Sequence, residues 1–217
     1  MTAKEIQRRI ERIVDNGNKT YSDSLATKSI SKAREIVLSY IKNAFQGVQC
    51  VNERNVLLCS EALDDYAPEE LLDYIGTLEE RKDWQKLSAN LLNECDSALS
   101  YAGPEAFRFL IPAFMCAYIQ YDISPDIPLK LSIFEHSNDE LKDYYRYQCS
   151  LLTQSQQSAI SLFMAQMRIE EDADNDKWST SYGLLPWEWD EYHQCYRYLS
   201  IIQYKKLLKE RYLSLLN

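Results

Sequence analysis

Residues 104–121 read PEAFRFLIPAFMCAYIQY. Pro104 follows Gly103, so a break in the chain meets a helix start. Proline suits the first helical turn because its missing N–H has no partner there anyway. From Ala106 the run is the most apolar in the chain, which predicts a central, buried helix. Pro112 removes one helical hydrogen bond and frees the Arg108 carbonyl, so a kink or two abutting helices are expected there. Arg108 itself is a guanidinium among core residues and needs a carboxylate or carbonyl. Glu105 is the near candidate; Asp64, Asp65 and Asp83 are distant ones.

On either side of this run, nearly every segment reads as helix. Residues 2–14 place Ile6, Ile10, Ile13 and Val14 on one face. Ser31 is a candidate N-cap for a helix over 32–45, with Ile36, Val37, Tyr40, Ile41, Ala44 and Phe45 as its stripe. Gly47 is a plausible stop, and 47–58 is ambiguous between loop and one short β-hairpin. Pro68 opens a helix to Ile75, with Glu69 and Glu70 at its positive end. Ser88 caps 89–99. Capping boxes are expected at Ser137–Glu140 and Thr153–Gln156, the latter opening a helix whose core face is Ile160, Phe163, Met164 and Met167. Residues 170–181 read as an acidic linker, and Pro186 starts a long C-terminal helix.

The totals narrow the class. Hydrophobic residues make up 46% and charged residues 26%, which is globular composition. Only five glycines occur in 217 residues, too few for phosphate-cradling loops or a sheet-rich fold, and no GxGxxG, GxxxxGK[ST] or GxSxG is present. The net charge of −9 argues against a nucleic-acid partner, which would be met with lysine and arginine. No run approaches the ~20 apolar residues of a membrane span, and the start lacks a signal peptide's apolar core. Six scattered cysteines without a CxxC read as buried thiols in a reducing cytoplasm. No disulfide, zinc site or cofactor is expected.

Charge is concentrated. Nine acidic side chains crowd into residues 61–83 against Arg81 and Lys82. Within this block Asp64 and Asp65 adjoin Tyr66, while Asp83 and Trp84 lie further on. Paired carboxylates can hold a hard cation or share a proton, but no EF-hand spacing is present, and an N-cap with a solvated acidic turn is the favoured reading. His136 and His193 are the only histidines; both read as ordinary packing or loop residues rather than ligands. Trp178, Tyr182, Trp187, Trp189 and Tyr192 form an aromatic cluster. It serves either as a latch for the last helix or as a contact patch for another protein.

Several stretches recur together in order: Ala62-Leu63-Asp64-Asp65-Tyr66-Ala67, Glu79-Glu80-Arg81-Lys82-Asp83-Trp84, residues 91–100, PEAFRF with LIPAF, and Leu152-Thr153-Gln154-Ser155-Gln156. This set resembles a bacterial family of uncharacterised small cytosolic proteins, a domain of unknown function, over residues 34–167. The resemblance implies one helical domain and no catalytic residue.

The expectation is therefore an all-α, compact single domain with a kinked central helix. Residues 1–30 form a helix and polar loop, 31–168 the helical core, 169–185 an acidic linker and 186–217 a C-terminal helix. Its function is expected to be protein binding in the cytoplasm, as an immunity-type or antitoxin-like acidic inhibitor of a basic partner. Two alternatives stand beside it. One is a carboxylate enzyme, with or without a divalent metal, built on Asp64, Asp65 and Asp83 with Arg108. The other is a homo-oligomer joined through the terminal helices. Candidate binding residues are Asp64, Asp65, Tyr66, Asp83, Trp84 and Arg108; candidate contact aromatics are Trp178, Tyr182, Trp187 and Trp189. No catalytic or metal-ligating residue, nucleic acid or membrane is assigned.

Overall fold

The structure, a computed structural model, describes residues 1–17, 25–174 and 182–216. The fold is all-α. The helices are α1 (Ala3–Gly17), α2 (Lys32–Ala44), α3 (Leu58–Asp64), α4 (Glu69–Gly76), α5 (Ala89–Glu94), α6 (Ala98–Tyr101), α7 (Pro104–Gln120), α8 (Ile127–Ser132), α9 (Asp139–Cys149), α10 (Gln154–Asp174), α11 (Pro186–Glu191) and α12 (Ile201–Leu216). Among the described residues the only β pairing is an isolated bridge between Thr27 and Tyr121. No hairpin forms over 47–58. No helix is long and apolar enough to cross a membrane among the described residues.

The chain groups into two compact units, each drawn from two stretches: Met1–Ser29 with Phe45–Asp126, and Ile30–Ala44 with Ile127–Asn217. In the first, α7 is buried along nearly its whole length, with Phe109, Leu110, Ile111, Phe114 and Met115 at zero exposure. It runs as one helix across Pro112, so two abutting helices do not form. α1 lays Ile6, Ile10 and Ile13 inward and packs on α3, α4 and α5. Buried Trp84 donates its indole N–H to the Phe45 carbonyl at 2.9 Å, fixing the turn that carries it.

In the second unit, α10 is the centre and packs on α2 and α12. Its N-terminus carries the reciprocal box expected from the sequence. The Thr153 N–H donates to Gln156 Oε1 at 3.0 Å, and the Gln156 N–H donates to Thr153 Oγ1 at 3.3 Å. Gln156 is buried and also donates to the Ala44 carbonyl, tying α10 to α2.

Four expectations need correcting. In α2 Val37 and Ile41 are buried as expected, but Leu38 joins them and Tyr40 is exposed. The Ser137–Glu140 box does not form; Asn138 is the N-cap of α9 and accepts from the Leu141 N–H. The acidic linker begins as helix, because α10 continues to Asp174. The C-terminal segment is helical in pieces: α11 passes into a π turn at Tyr192–Tyr196, the chain breaks, and α12 starts on a new box in which Ser200 and Gln203 bond each other's N–H.

Candidate functional site

The acidic block folds into α3, α4 and the turns around them, and most of its carboxylates are used internally. Glu61 is 1% exposed and lies on α3. Arg9 reaches from α1 and forks onto Glu61 and Asp65, while the Ser97 N–H and hydroxyl also donate to Glu61. A planar guanidinium suits this because its donors reach two carboxylates at once. Arg54 does the same for α4, pairing with Glu69 and Asp73 and donating to the Glu69 carbonyl.

Other acids hold backbone. Glu79 accepts from the Leu57 and Cys59 amides at the start of α3. Burial pushes its carboxyl up, against the pull of those N–H donors. Glu105 accepts from three successive amides, Val51, Asn52 and Glu53, so it is not the partner of Arg108. Glu53 in turn accepts from the Ala106 N–H at the start of α7. Arg81 donates to the Glu53 and Arg54 carbonyls. This lattice explains why 47–58 is an ordered loop without a strand partner. Glu80 accepts from the Lys82 and Asp83 amides, which lowers its pKa. Asp83 caps the turn Trp84–Lys86 through the Gln85 N–H.

The six expected binding residues therefore scatter. Asp65 belongs to Arg9, Asp83 and Trp84 hold a turn, and Arg108 is half-buried with its Nε out of water and unpartnered. No hydrogen bond or ion pair joins Asp64, Asp65, Asp83 and Arg108 to one another among the described residues. Among the described residues, no group of three or more His, Cys, Asp or Glu is placed to hold a metal ion. Cys50 and Cys59 are buried, and burial pushes both thiols up to about 12, far from nucleophilic.

Asp64 and Tyr66 are different. Tyr66 has φ 59° and is 92% exposed. The Tyr66 N–H donates to the Leu63 carbonyl and the Ala67 N–H to the Ala62 carbonyl. This is the Schellman ending of a helix, and Tyr66 occupies the left-handed position that glycine usually fills. Asp64, exposed at the end of α3, accepts from the Tyr101 hydroxyl at 2.8 Å. That bond, and then the Asp64 charge, push the Tyr101 phenol up; Tyr66 adds to the effect.

The aromatics of the second unit act chiefly as the latch. Trp187 donates to the Ser161 hydroxyl at 2.8 Å. Trp189 meets Phe134 edge-on and carries Lys142 over its face at 4.5 Å. Beneath them the buried Arg168 pairs with Glu188 and donates to the Gly183 carbonyl. Tyr182 is half-buried. Trp178 lies outside the described residues.

The sequence reading missed Arg9, Arg54, Glu53 and Tyr101. Arg54 had a local signal, an arginine shortly before two helical acids; Arg9 and Tyr101 lie too far along the chain from their partners to leave one.

The geometry thus defines an all-α protein whose charged side chains mostly secure its own loops and helix ends. The chain belongs to the family of unknown function DUF6714, whose pattern matches residues 33–192. That match runs through α11, beyond the 34–167 stretch carried by the motifs. No curated protein and no solved structure matches the chain.

Proposed function

We propose that this chain is a protein-binding module of the immunity or antitoxin type, meeting a basic partner through the end of α3 and the outer face of α4. The observation that carries this reading is Tyr66. An L-residue in the left-handed region is strained, and an aromatic ring held in water gains nothing from burial. Neither feature helps the fold, whereas exposed tyrosines among polar residues favour contact with another protein. Around it stand exposed Asp64, Glu69, Glu70, Asp73 and Tyr74. Arg54 offsets two of these acids, and Glu70 alone of the nine in residues 61–83 forms no hydrogen bond or ion pair among the described residues. Negative charge on this face would steer a basic partner and set its orientation.

The test is a photo-crosslinking amino acid at position 66 in the native host, with position 40, also exposed, as control. One basic protein joined from 66 and absent from 40 is the expected result. Identical products from both positions overturn the proposal.

A further inference from the structure

We infer that Asp64, Tyr66 and Tyr101 form a receptor for a single guanidinium: an arginine side chain of the partner lies over the Tyr66 ring and bonds the Asp64 carboxylate. This rests on the protein-binding reading above and names the group that the face selects.

Asp64 has the means to bind a cation and lacks one. Arg9, the cation nearest in function, is committed to Glu61 and Asp65. The bond that Asp64 accepts comes from a neutral phenol, at one oxygen, Oδ1. Its second oxygen accepts no hydrogen bond among the described residues, and the residue is exposed. The phenol, protonated at neutral pH as tyrosines ordinarily are, orients the carboxylate by donating to it. Tyr101 is itself 42% exposed, so the bond it makes to Asp64 lies at the surface.

Tyr66 stands two residues past Asp64, in the turn that ends the same helix, and α6 packs on that helix to bring Tyr101 in. The left-handed backbone at Tyr66 fixes where the ring leaves the chain. An exposed ring two residues along from a carboxylate that holds no cation matches the chemistry of arginine, whose flat guanidinium stacks on an aromatic face while its edge donates to a carboxylate. Lysine offers a point charge without that flat edge and fits less well.

The experiment uses the full-length protein and a blocked Gly-Arg-Gly peptide as probe, titrated by NMR. Two peptides serve as comparisons: one with lysine, and one with citrulline, which has the shape of arginine without its charge. The expected result is millimolar binding of the arginine peptide, with shifts at 64–66 and 101, several-fold weaker binding of lysine and none of citrulline. Tyr66→Phe should retain binding, since the ring face is kept; Tyr66→Ala and Asp64→Asn should each weaken it at least threefold. Both positions are exposed, so folding is not at stake. Equal binding of citrulline, or no loss with Tyr66→Ala, overturns the inference. Crosslinking from position 66 that persists in the face of such a result would leave the protein-binding reading standing and remove only the guanidinium receptor.

Discussion

Replacing Tyr66 by glycine and, separately, by alanine tests whether the fold tolerates this residue or needs it. An L-residue in the left-handed region costs about 1–2 kcal/mol, and alanine carries that cost as tyrosine does. Glycine escapes it but loses more freedom on folding, about 0.5–1 kcal/mol. Glycine should therefore exceed alanine by about 0.5–1 kcal/mol, the reverse of the order at an ordinary helical position. The ring itself adds little. Tyr66 is 92% exposed. A tyrosine offers roughly 200 Å² to bury, so at about 25 cal/mol per Å² the hidden fraction is worth at most about 0.4 kcal/mol. Tyr66→Gly should then equal or slightly exceed the unaltered chain, while Tyr66→Ala should fall slightly below it. For a chain of this size the glycine-to-alanine gap corresponds to about 1–4 °C in Tm, measurable by calorimetry. The same two variants should lose the basic partner in pull-downs from the native host. Alanine more stable than glycine would refute the strain argument. Full partner binding by the glycine variant would refute the claim that the ring is kept for contact.

Arg9→Ala should destabilise by about 2 kcal/mol, below the range for a fully buried pair because Arg9 is partly in water; Arg9→Lys should recover only part of this in urea unfolding, since one ammonium cannot span Glu61 and Asp65 as the fork does. A Cβ at position 103 would collide with Glu53 Oε1. Gly103→Ala should therefore dislodge Glu53 from the Ala106 N–H and cost about 1 kcal/mol, with hydrogen exchange rising at the start of α7. Gln156→Ala removes the side-chain half of the α10 box and the bond to the Ala44 carbonyl, and should cost about 1–3 kcal/mol. Arg211 foremost, then Tyr204, holds Glu191 below its ordinary value of 4.5. Its contribution is present above pH 4.5 and fades as pH falls through the lowered value. Arg211→Gln should flatten that acid limb in circular dichroism titrations, and an unchanged limb would contradict the assignment.

Helix starts were legible because each leaves a local mark. Ser31 and Ser88 cap α2 and α5, Thr153 and Gln156 close a box, and Pro104 and Pro186 stand in first turns. Helix ends were less so. α3 stops at a tyrosine where glycine would announce the stop, and α10 runs on into acids that read as linker because charged residues suit exposed helix as well as loop. The Ser200–Gln203 box carried a signal that the aromatic run before it concealed. The candidate site was legible only as a region. The acidic block marks where charge lies along the chain, but Arg9 lies 52 residues before Glu61 and Tyr101 lies 37 residues after Asp64. Pairings at such separations depend on how helices meet, which no local pattern encodes. Arg108 was singled out correctly as a charge in apolar surroundings, yet the acid three residues before it serves the amides of Val51, Asn52 and Glu53 instead.

That redistribution changes what a partner meets. Counted along the chain, residues 61–83 carry seven net negative charges. Counted on the surface, four of those acids are met by Arg9 and Arg54, and three more, Glu79, Glu80 and Asp83, are turned onto backbone amides. The long-range field that speeds encounter survives, because distant charges sum whether or not they are locally bonded. Short-range selection cannot use groups that already hold the fold, since borrowing them would loosen α1, α4 or the loop before α3. Selection therefore falls to the residues left over: Glu70 without a counter-ion, and Asp64 and Tyr101 beside a ring held open at Tyr66. If the proposed protein-binding reading holds, a face that draws on the whole chain's charge for attraction and on four residues for choice would separate rate from specificity. Substitutions outside those four should alter how fast a basic partner arrives far more than which partner stays.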